Sequence, residues 1–338
     1  MQKIAFIIPC YNMESYIEAC VESVLKISEE RCNIYLLNDG STDKTKRICA
    51  SIENKYNNVF FIDNDKNYGV IIARNQLLMY VLEKRQDEWI CCLDPDDRVD
   101  AKAMKRLYYI IDKSCDIDFI QTGFVYQYPD KKVYDVPDVT EGIYKSNEIA
   151  NKVCKEISWE AISCVGSKIY RVDYIKDNNI WFNDKFKYNE DGGFALCAYM
   201  NAKNVFYLKE PLYIYNQRQG SSMHSYWSRP YETLRNVNDY LEKYFESNNV
   251  SAELIMADRR LDMAIFCLNN ELFGTNKKKY NELFKFINLD EKLQESYKIL
   301  KNTIPKLSKR RGLVFLMEHK CINLVAMLLY KNKCSEKD

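Results

Sequence analysis

Asp94, Asp96 and Asp97 fall within the run Asp94-Pro95-Asp96-Asp97, and carboxylates this close repel unless a cation or a helix terminus absorbs their charge. Asp97, or Asp100 just beyond it, can cap a following helix. That leaves Asp94 and Asp96, held by Pro95 on a rigid turn, to bind a hard divalent ion that takes oxygen ligands and keeps open positions for phosphate. The implied ligand is a diphosphate with its metal. None of the ten glycines forms a G-x-G and no Walker A run occurs, so both ready-made glycine cradles for phosphate are absent. The charge must then be met by the cation and by side chains. Arg74, one turn into a helix that starts near Gly69, can supply a fixed guanidinium. His224 and His319 are the only histidines, which excludes a histidine-rich metal centre and makes a carboxylate the expected catalytic base.

The elements that must hold these residues are legible in the hydrophobic pattern. Lys3 to Pro9 is a continuous apolar run, as expected of a strand buried on both faces. Ile17, Cys20, Val21, Val24 and Leu25 then recur at helical spacing. The same alternation predicts strands over Asn33 to Asn38, Asn58 to Ile62 and Trp89 to Leu93, and helices through Ile48, over Gly69 to Leu82 and over Asp100 to Ile111. Such alternation builds a parallel sheet with right-handed crossovers, whose ligands sit beyond the carboxyl ends of the strands. Pro9, Tyr11 and Asn12, then Asp39, then Asn64 to Asn67, then Asp94 to Asp97 follow successive strands and should open onto one edge. Taken singly, each is ordinary turn chemistry.

Composition sets the outer bounds. Apolar residues make up 47% of the 338, enough for a real core. Lys plus Arg number 49 against 48 Asp plus Glu, so no global field exists to hold a polyanion, and nucleic acid is not an expected partner. Thirteen cysteines without a C-x-x-C pair, and no signal-peptide pattern after Met1, point to reduced thiols in a cytoplasm.

Seven runs carry a resemblance. Ile7-Ile8-Pro9-Cys10-Tyr11-Asn12, Asn38-Asp39-Gly40-Ser41-Thr42-Asp43, Gly69-Val70 with Ala73-Arg74-Asn75, and Leu93-Asp94-Pro95-Asp96-Asp97 resemble the family 2 glycosyltransferases. Gly166-Ser167-Lys168-Ile169-Tyr170-Arg171, Asn189-Glu190-Asp191-Gly192-Gly193-Phe194 and Pro211-Leu212-Tyr213-Ile214-Tyr215 resemble later signatures of bacterial members, in the same order. The resemblance implies the α/β GT-A fold, a mixed and mostly parallel central sheet flanked by helices, with a catalytic domain over 1–228 and a helical region over 229–338. It implies an inverting, metal-dependent transfer of a sugar from a UDP-sugar to a hydroxyl of a glycan or lipid-linked glycan in surface polysaccharide synthesis, with Mn or Mg as cofactor. Tyr11 would stack on the base, Asp39 would accept from a uracil N–H, and Pro9, Asn12 and Asn67 would line the donor site. Arg74 would face the pyrophosphate, and Asp94 and Asp96 would take the D-x-D positions. Asp191 would be the general base, with Glu190 beside it. Two departures stand out: Asn38 replaces a usual acidic residue, and Ile71-Ile72 replaces a usual small one.

Asp191 also begins the segment Gly192 to Met200 and can cap it as a helix, a role compatible with catalysis. Arg218 and His224, on a polar loop after Tyr215, are candidates to close over the diphosphate. Trp159, Trp181, Tyr226 and Trp227 are candidate sugar platforms, although large aromatics more often serve the core. From about Arg229 the spacing is helical throughout. Lys306, Lys309, Arg310 and Arg311 precede Leu313 to Tyr330, too interrupted to span a membrane. This stretch reads either as a helix packed on the body with a solvated charged face or as one lying on anionic lipid at the inner face of the cell membrane. The competing functional class is a nucleotide-sugar-binding scaffold or sensor without catalysis. A sugar nucleotidyltransferase would want a glycine- and lysine-rich loop where Tyr11-Asn12-Met13-Glu14 stands.

Overall fold

β1 (Ile4–Cys10) is buried along its whole length: it runs between β2 (Cys32–Asp39) and β4 (Trp89–Cys92), parallel to both. α1 (Ile17–Leu25) turns inward the five residues that its spacing singles out. α2 (Thr45–Lys55) connects β2 to β3 (Val59–Asn64), which continues the parallel set, and α3 (Val70–Lys84) packs on β1 and β2. The computed structural model describes residues 2–26, 29–84, 86–113, 116–136, 139–145, 148, 159–184, 189–217, 230–247, 251–274, 277–303 and 309–335.

Beyond β4 the sheet is mixed. A two-residue β5 (Arg98–Val99) and α4 (Ala101–Lys113) lead to β6 (Phe119–Gln127), followed by β7 (Lys132–Asp135) and β8 (Gly142–Lys145). A short α5 (Trp159–Ser163) and a 3-10 turn at Val165–Ser167 enter β9 (Lys168–Arg171), which runs antiparallel to both β4 and β6. α6 (Val172–Asp177) and α7 (Glu190–Asn201) precede β10 (Asn204–Asn216), parallel to β6 and antiparallel to β5 and β8. The strand order is β3-β2-β1-β4-β9-β6-β10-β5, with β7 on β6 and β8 on β10. Antiparallel pairing is therefore more extensive than the strand–helix alternation of the first hundred residues suggests. β9 makes two of the antiparallel pairings, with β4 and β6, and the pairs of β10 with β5 and β8 and of β6 with β7 add the others among the described residues.

The chain divides into two compact units, Met1–Gln219 and Gly220–Asp338; the expected boundary at 228/229 lies within 218–229, outside the described residues. The second unit holds α8 (Pro230–Ser247), α9 (Glu253–Gly274), α10 (Lys277–Ile287), α11 (Glu291–Thr303), α12 (Lys309–Glu318) and α13 (Ile322–Ser335). Its core joins Leu261, Leu268, Phe284, Tyr297 and Leu300 to Val314, Met317, Val325 and Leu329 of the last two helices. Among the described residues no helix is long and apolar enough to cross a membrane.

Gly166, in the 3-10 turn that enters β9, is closely packed. A Cβ there would stand 2.1 Å from Cε2 of Tyr213, a ring in the fully packed interior. Gly166→Ala should therefore destabilise by about 1–3 kcal/mol, the usual cost of overpacking. Thermal unfolding should show a lowered midpoint; an unchanged one would mean that the Tyr213 ring can swing aside.

Candidate functional site

The turn after β4 separates its acidic residues by role. Leu93 N–H still donates to Ile7 O at 3.1 Å, and Asp97 N–H donates to Asp94 O at 3.0 Å, which closes the turn. Asp100 caps α4: its Oδ1 accepts the N–H groups of Lys102 and Ala103 at 2.9 and 3.0 Å. Asp97 is buried, with Oδ2 accepting the Tyr213 hydroxyl at 2.5 Å and Oδ1 accepting Asn216 N–H at 2.8 Å. Burial, reinforced by Asp94 and Asp96, raises its carboxyl well above the usual range. Asp97 and Asp100 are thus both committed to structure, and Asp94 and Asp96 remain half-exposed at the strand end.

Arg74 reaches this turn from α3. Only 3% exposed, it donates from Nη2 to Asp94 Oδ1 at 2.8 Å and from Nη1 to Glu190 Oε1 at 3.3 Å, and Nη1 also contacts Asp191 Oδ1 directly. Its guanidinium lies 5.3 Å from the centre of the Phe182 ring. Asn75, next on the helix, brackets Phe182 by donating to its carbonyl at 2.7 Å and accepting its N–H at 3.0 Å. Phe182 stacks in turn on Phe194 of α7, with centroids 4.2 Å apart. In this structure, then, Arg74 engages three carboxylates, where the sequence suggests a contact with diphosphate.

Asp191 is not the helix cap that its position suggests. α7 starts earlier, with Asn189 at the N-cap in the left-handed region (φ 76°) and Glu190 and Asp191 in its first turn; asparagine tolerates that conformation better than other side-chain-bearing residues. Burial pushes the Asp191 carboxyl up to about 7, with Arg74 pulling against it and Glu190 and Asp94 adding to it. The side chain keeps 30% of its surface open, so a second molecule can reach it.

Two residues that the sequence shows only as parts of longer runs prove to be supports. Lys168 is fully buried in β9, donates from Nζ to the carbonyls of Ala161 and Cys164 at 2.8 Å each, and is lowered to about 7 by burial. Its signal was a lysine inside the run Ser167 to Tyr170. The Tyr213 hydroxyl, besides bonding Asp97, accepts Asp94 N–H at 3.4 Å and stands 3.2 Å from Asp94 Oδ2.

On the same sheet edge, Asn12 (φ 54°) ties two loops together: its N–H donates to Ser41 Oγ at 3.0 Å and its Oδ1 accepts Thr42 N–H at 2.9 Å. Tyr11 beside it is 42% exposed, and Pro9 is buried within β1. Asp39 is buried, with Oδ1 accepting Asn64 Nδ2 at 2.9 Å and Oδ2 accepting Gly69 N–H at 2.8 Å. Asn67 Oδ1 accepts that same Gly69 N–H at 2.8 Å. Asn38 donates to Asp63 Oδ1 at 2.8 Å and accepts Ser41 N–H at 3.2 Å, which suits an amide at this position: a carboxylate there would face Asp63. Nothing in the structure explains Ile71-Ile72.

Trp181 is 36% exposed, with Nε1 donating to Asn179 Oδ1 at 2.8 Å. Trp159 is placed only as the first residue of α5. Arg218, His224, Tyr226 and Trp227 lie outside the described residues. Among the described residues no three His, Cys, Asp or Glu converge as a metal site. Asp94 and Asp96 nevertheless offer only oxygen donors, which suits a hard ion that takes its remaining ligands from phosphate and water. Asp94 Oδ2 accepts the Tyr213 hydroxyl and, with two lone pairs, keeps capacity for that ion.

Comparison with known proteins agrees with this geometry. The sequence model of Glycosyl transferase family 2 matches residues 5–177. EpsJ of Bacillus subtilis, an uncharacterized glycosyltransferase, is 25% identical over 72% of this chain and 68% of its own. The glycosyltransferase GlyA of Streptococcus pneumoniae is 27% identical over 65% of this chain, and the poly(ribitol-phosphate) beta-N-acetylglucosaminyltransferase TarS of Staphylococcus aureus is 28% identical over 70%. The matched regions make up only 31% of GlyA and 40% of TarS. The crystal structure of TarS 1-349 superposes with a TM-score of 0.66 at 20% identity, covering 99% of this chain and 92% of that one, which establishes the shared fold. With its family signature across half the chain and a mixed sheet of GT-A type followed by helices, the protein belongs to glycosyl transferase family 2.

Proposed function

We propose that the chain moves a sugar from a UDP-sugar to a hydroxyl of a glycan or glycan carrier in surface polysaccharide assembly, with inversion at the anomeric carbon. The unit Met1–Gln219 would carry the reaction. The observation that carries this reading is Arg74, which binds Asp94, on the turn that would meet the diphosphate, and Asp191, a half-open carboxylate with a raised pKa. TarS has been solved with UDP-GlcNAc and with UDP, and related proteins are named for teichoic acid synthesis; both favour a UDP-sugar donor and a wall or surface polymer acceptor.

Asp94 and Asp96 would hold Mn or Mg, which when bound neutralises charge on the departing diphosphate. Asp191 takes the proton of the acceptor hydroxyl as its oxygen bonds to C1; the bond from C1 to the phosphate oxygen breaks, and UDP leaves with that electron pair. One base and no carboxylate nucleophile means a single displacement, hence inversion. Arg74 fixes Asp191 and Asp94 in one frame, so that proton acceptance and leaving-group stabilisation occur at a set spacing.

Three outcomes test this. Asp191→Asn should keep UDP affinity while transfer falls by about two to four orders of magnitude, and Glu190→Gln should lose less; tight UDP-sugar binding by the native chain with no turnover on any acceptor would instead mark a sensor. Asp191 serves as base only when ionised. Transfer by the native chain should therefore climb as pH rises through about 7, and the climb should vanish in Asp191→Asn. In calorimetry, Asp96→Ala should lower UDP affinity in Mn towards the metal-free level; retention of full Mn-dependent affinity would remove Asp96 from the metal site.

A further inference from the structure

We infer that the outward face of the terminal helical hairpin, α12 with α13, docks on an anionic lipid surface. The hairpin is committed to the fold on one side, where Val314, Met317, Val325 and Leu329 are at most 4% exposed in the core of the second unit. Its other side carries three large apolar side chains among exposed polar ones. Phe315 is 51% exposed, Leu324 47% and Met327 50%. Phe315 stacks on His319 one turn later at 4.0 Å, and Leu324 and Met327 are one turn apart on α13.

The charge pattern names the surface that such a face fits. The chain as a whole is balanced at 49 basic to 48 acidic residues, yet 296–335 contains nine Lys or Arg and one acid, Glu318. Glu318 is already paired with Lys301 at 2.7 Å. Lys309, Arg310 and Arg311 occupy the first turn of α12, the end of a helix where its dipole disfavours cations. At the hairpin tip Lys320 adopts φ 55°, and Cys321 N–H bonds Leu316 O at 2.9 Å while Lys320 N–H bonds Met317 O at 3.1 Å. This is a Schellman closure with an exposed lysine in the position that glycine fills at least strain. Half-open apolar side chains in a segment with this excess of basic over acidic residues suit a helix lying in the headgroup layer of anionic lipid. A second copy presenting the same face would meet it with like charge, and no described helix is long and apolar enough to enter the bilayer as a span.

The test uses the full chain with vesicles of phosphatidylglycerol mixed equally with phosphatidylcholine, and with vesicles of phosphatidylcholine alone. Co-sedimentation should occur with the first and not the second, and should weaken as salt rises. Phe315→Ser/Leu324→Ser/Met327→Ser, which alters only half-exposed positions, should weaken binding by more than about tenfold at an unchanged melting temperature. Lys309→Glu/Arg310→Glu should do the same through charge. Absence of binding to the anionic vesicles overturns the inference. So does undiminished binding by the triple serine variant, which would leave only diffuse attraction of a basic chain, and so does a dimer in sedimentation equilibrium that the triple variant dissociates.

Discussion

The cluster of Asp94, Glu190 and Asp191 at the carboxyl edge of the sheet depends on one buried cation. Arg74 is 3% exposed, and a guanidinium removed from water is tolerated only if anions and hydrogen bonds replace its hydration. The replacements come from two distant places, Asp94 on the turn after β4 and the Glu190-Asp191 pair opening α7. None of the three carboxylates is stable so near the others without the cation, and the cation is not stable without them. A buried ion pair of this kind is weak evidence of net stability, but it fixes geometry strongly. Breaking it leaves uncompensated charge whichever partner is removed.

A second group of buried polar residues holds that cluster in place from behind. Tyr213 sits between Asp97 and Asp94, and Asn216 secures both the Asp97 carboxylate and the Asp96 carbonyl. The end of β10 thus sets the position of a turn made by β4, more than a hundred residues earlier. Gly166 leaves room for the Tyr213 ring, and Lys168, two residues on, fastens the carbonyls that precede that glycine. These residues touch no expected substrate. They determine where Asp94 and Asp96 point, and so whether two half-exposed carboxylates can share an ion.

What the sequence disclosed and what it withheld divide along chain distance. α1 was legible because its five inward residues recur at helical spacing, and β1 because a strand buried on both faces is apolar throughout. The placement of Tyr11, Asn12, Asp39 and Asp94 at one edge followed from parallel topology alone. Local pattern could not show that both Asp97 and Asp100 are structural, because the Asp97 partners lie in β10. Nor could it show that Arg74 turns to Asp191, 117 residues away. The N-cap suggested for Asp191 failed for a related reason: Asn189 and Glu190 also suit a helix start, and a single sequence does not choose among adjacent polar residues. The antiparallel β9 was hidden because the turn before it carries no periodic signal.

The arrangement also bears on how one carboxylate can serve as base near neutral pH. An exposed aspartate is ionised but too weak a base to take a hydroxyl proton efficiently, and a fully buried one is a stronger base that is seldom ionised. Asp191 lies between these limits, raised by burial and by Glu190 and Asp94 and restrained by Arg74. In the proposed reaction those influences change together. A diphosphate and its ion arriving beside Asp94 would alter the field at Arg74, and Arg74 is the group that restrains Asp191. Base strength would thereby be coupled to occupancy of the donor site through a single guanidinium, with the hydrogen bonds from Nη1 to Asp191 and from Nη2 to Asp94 as the physical path.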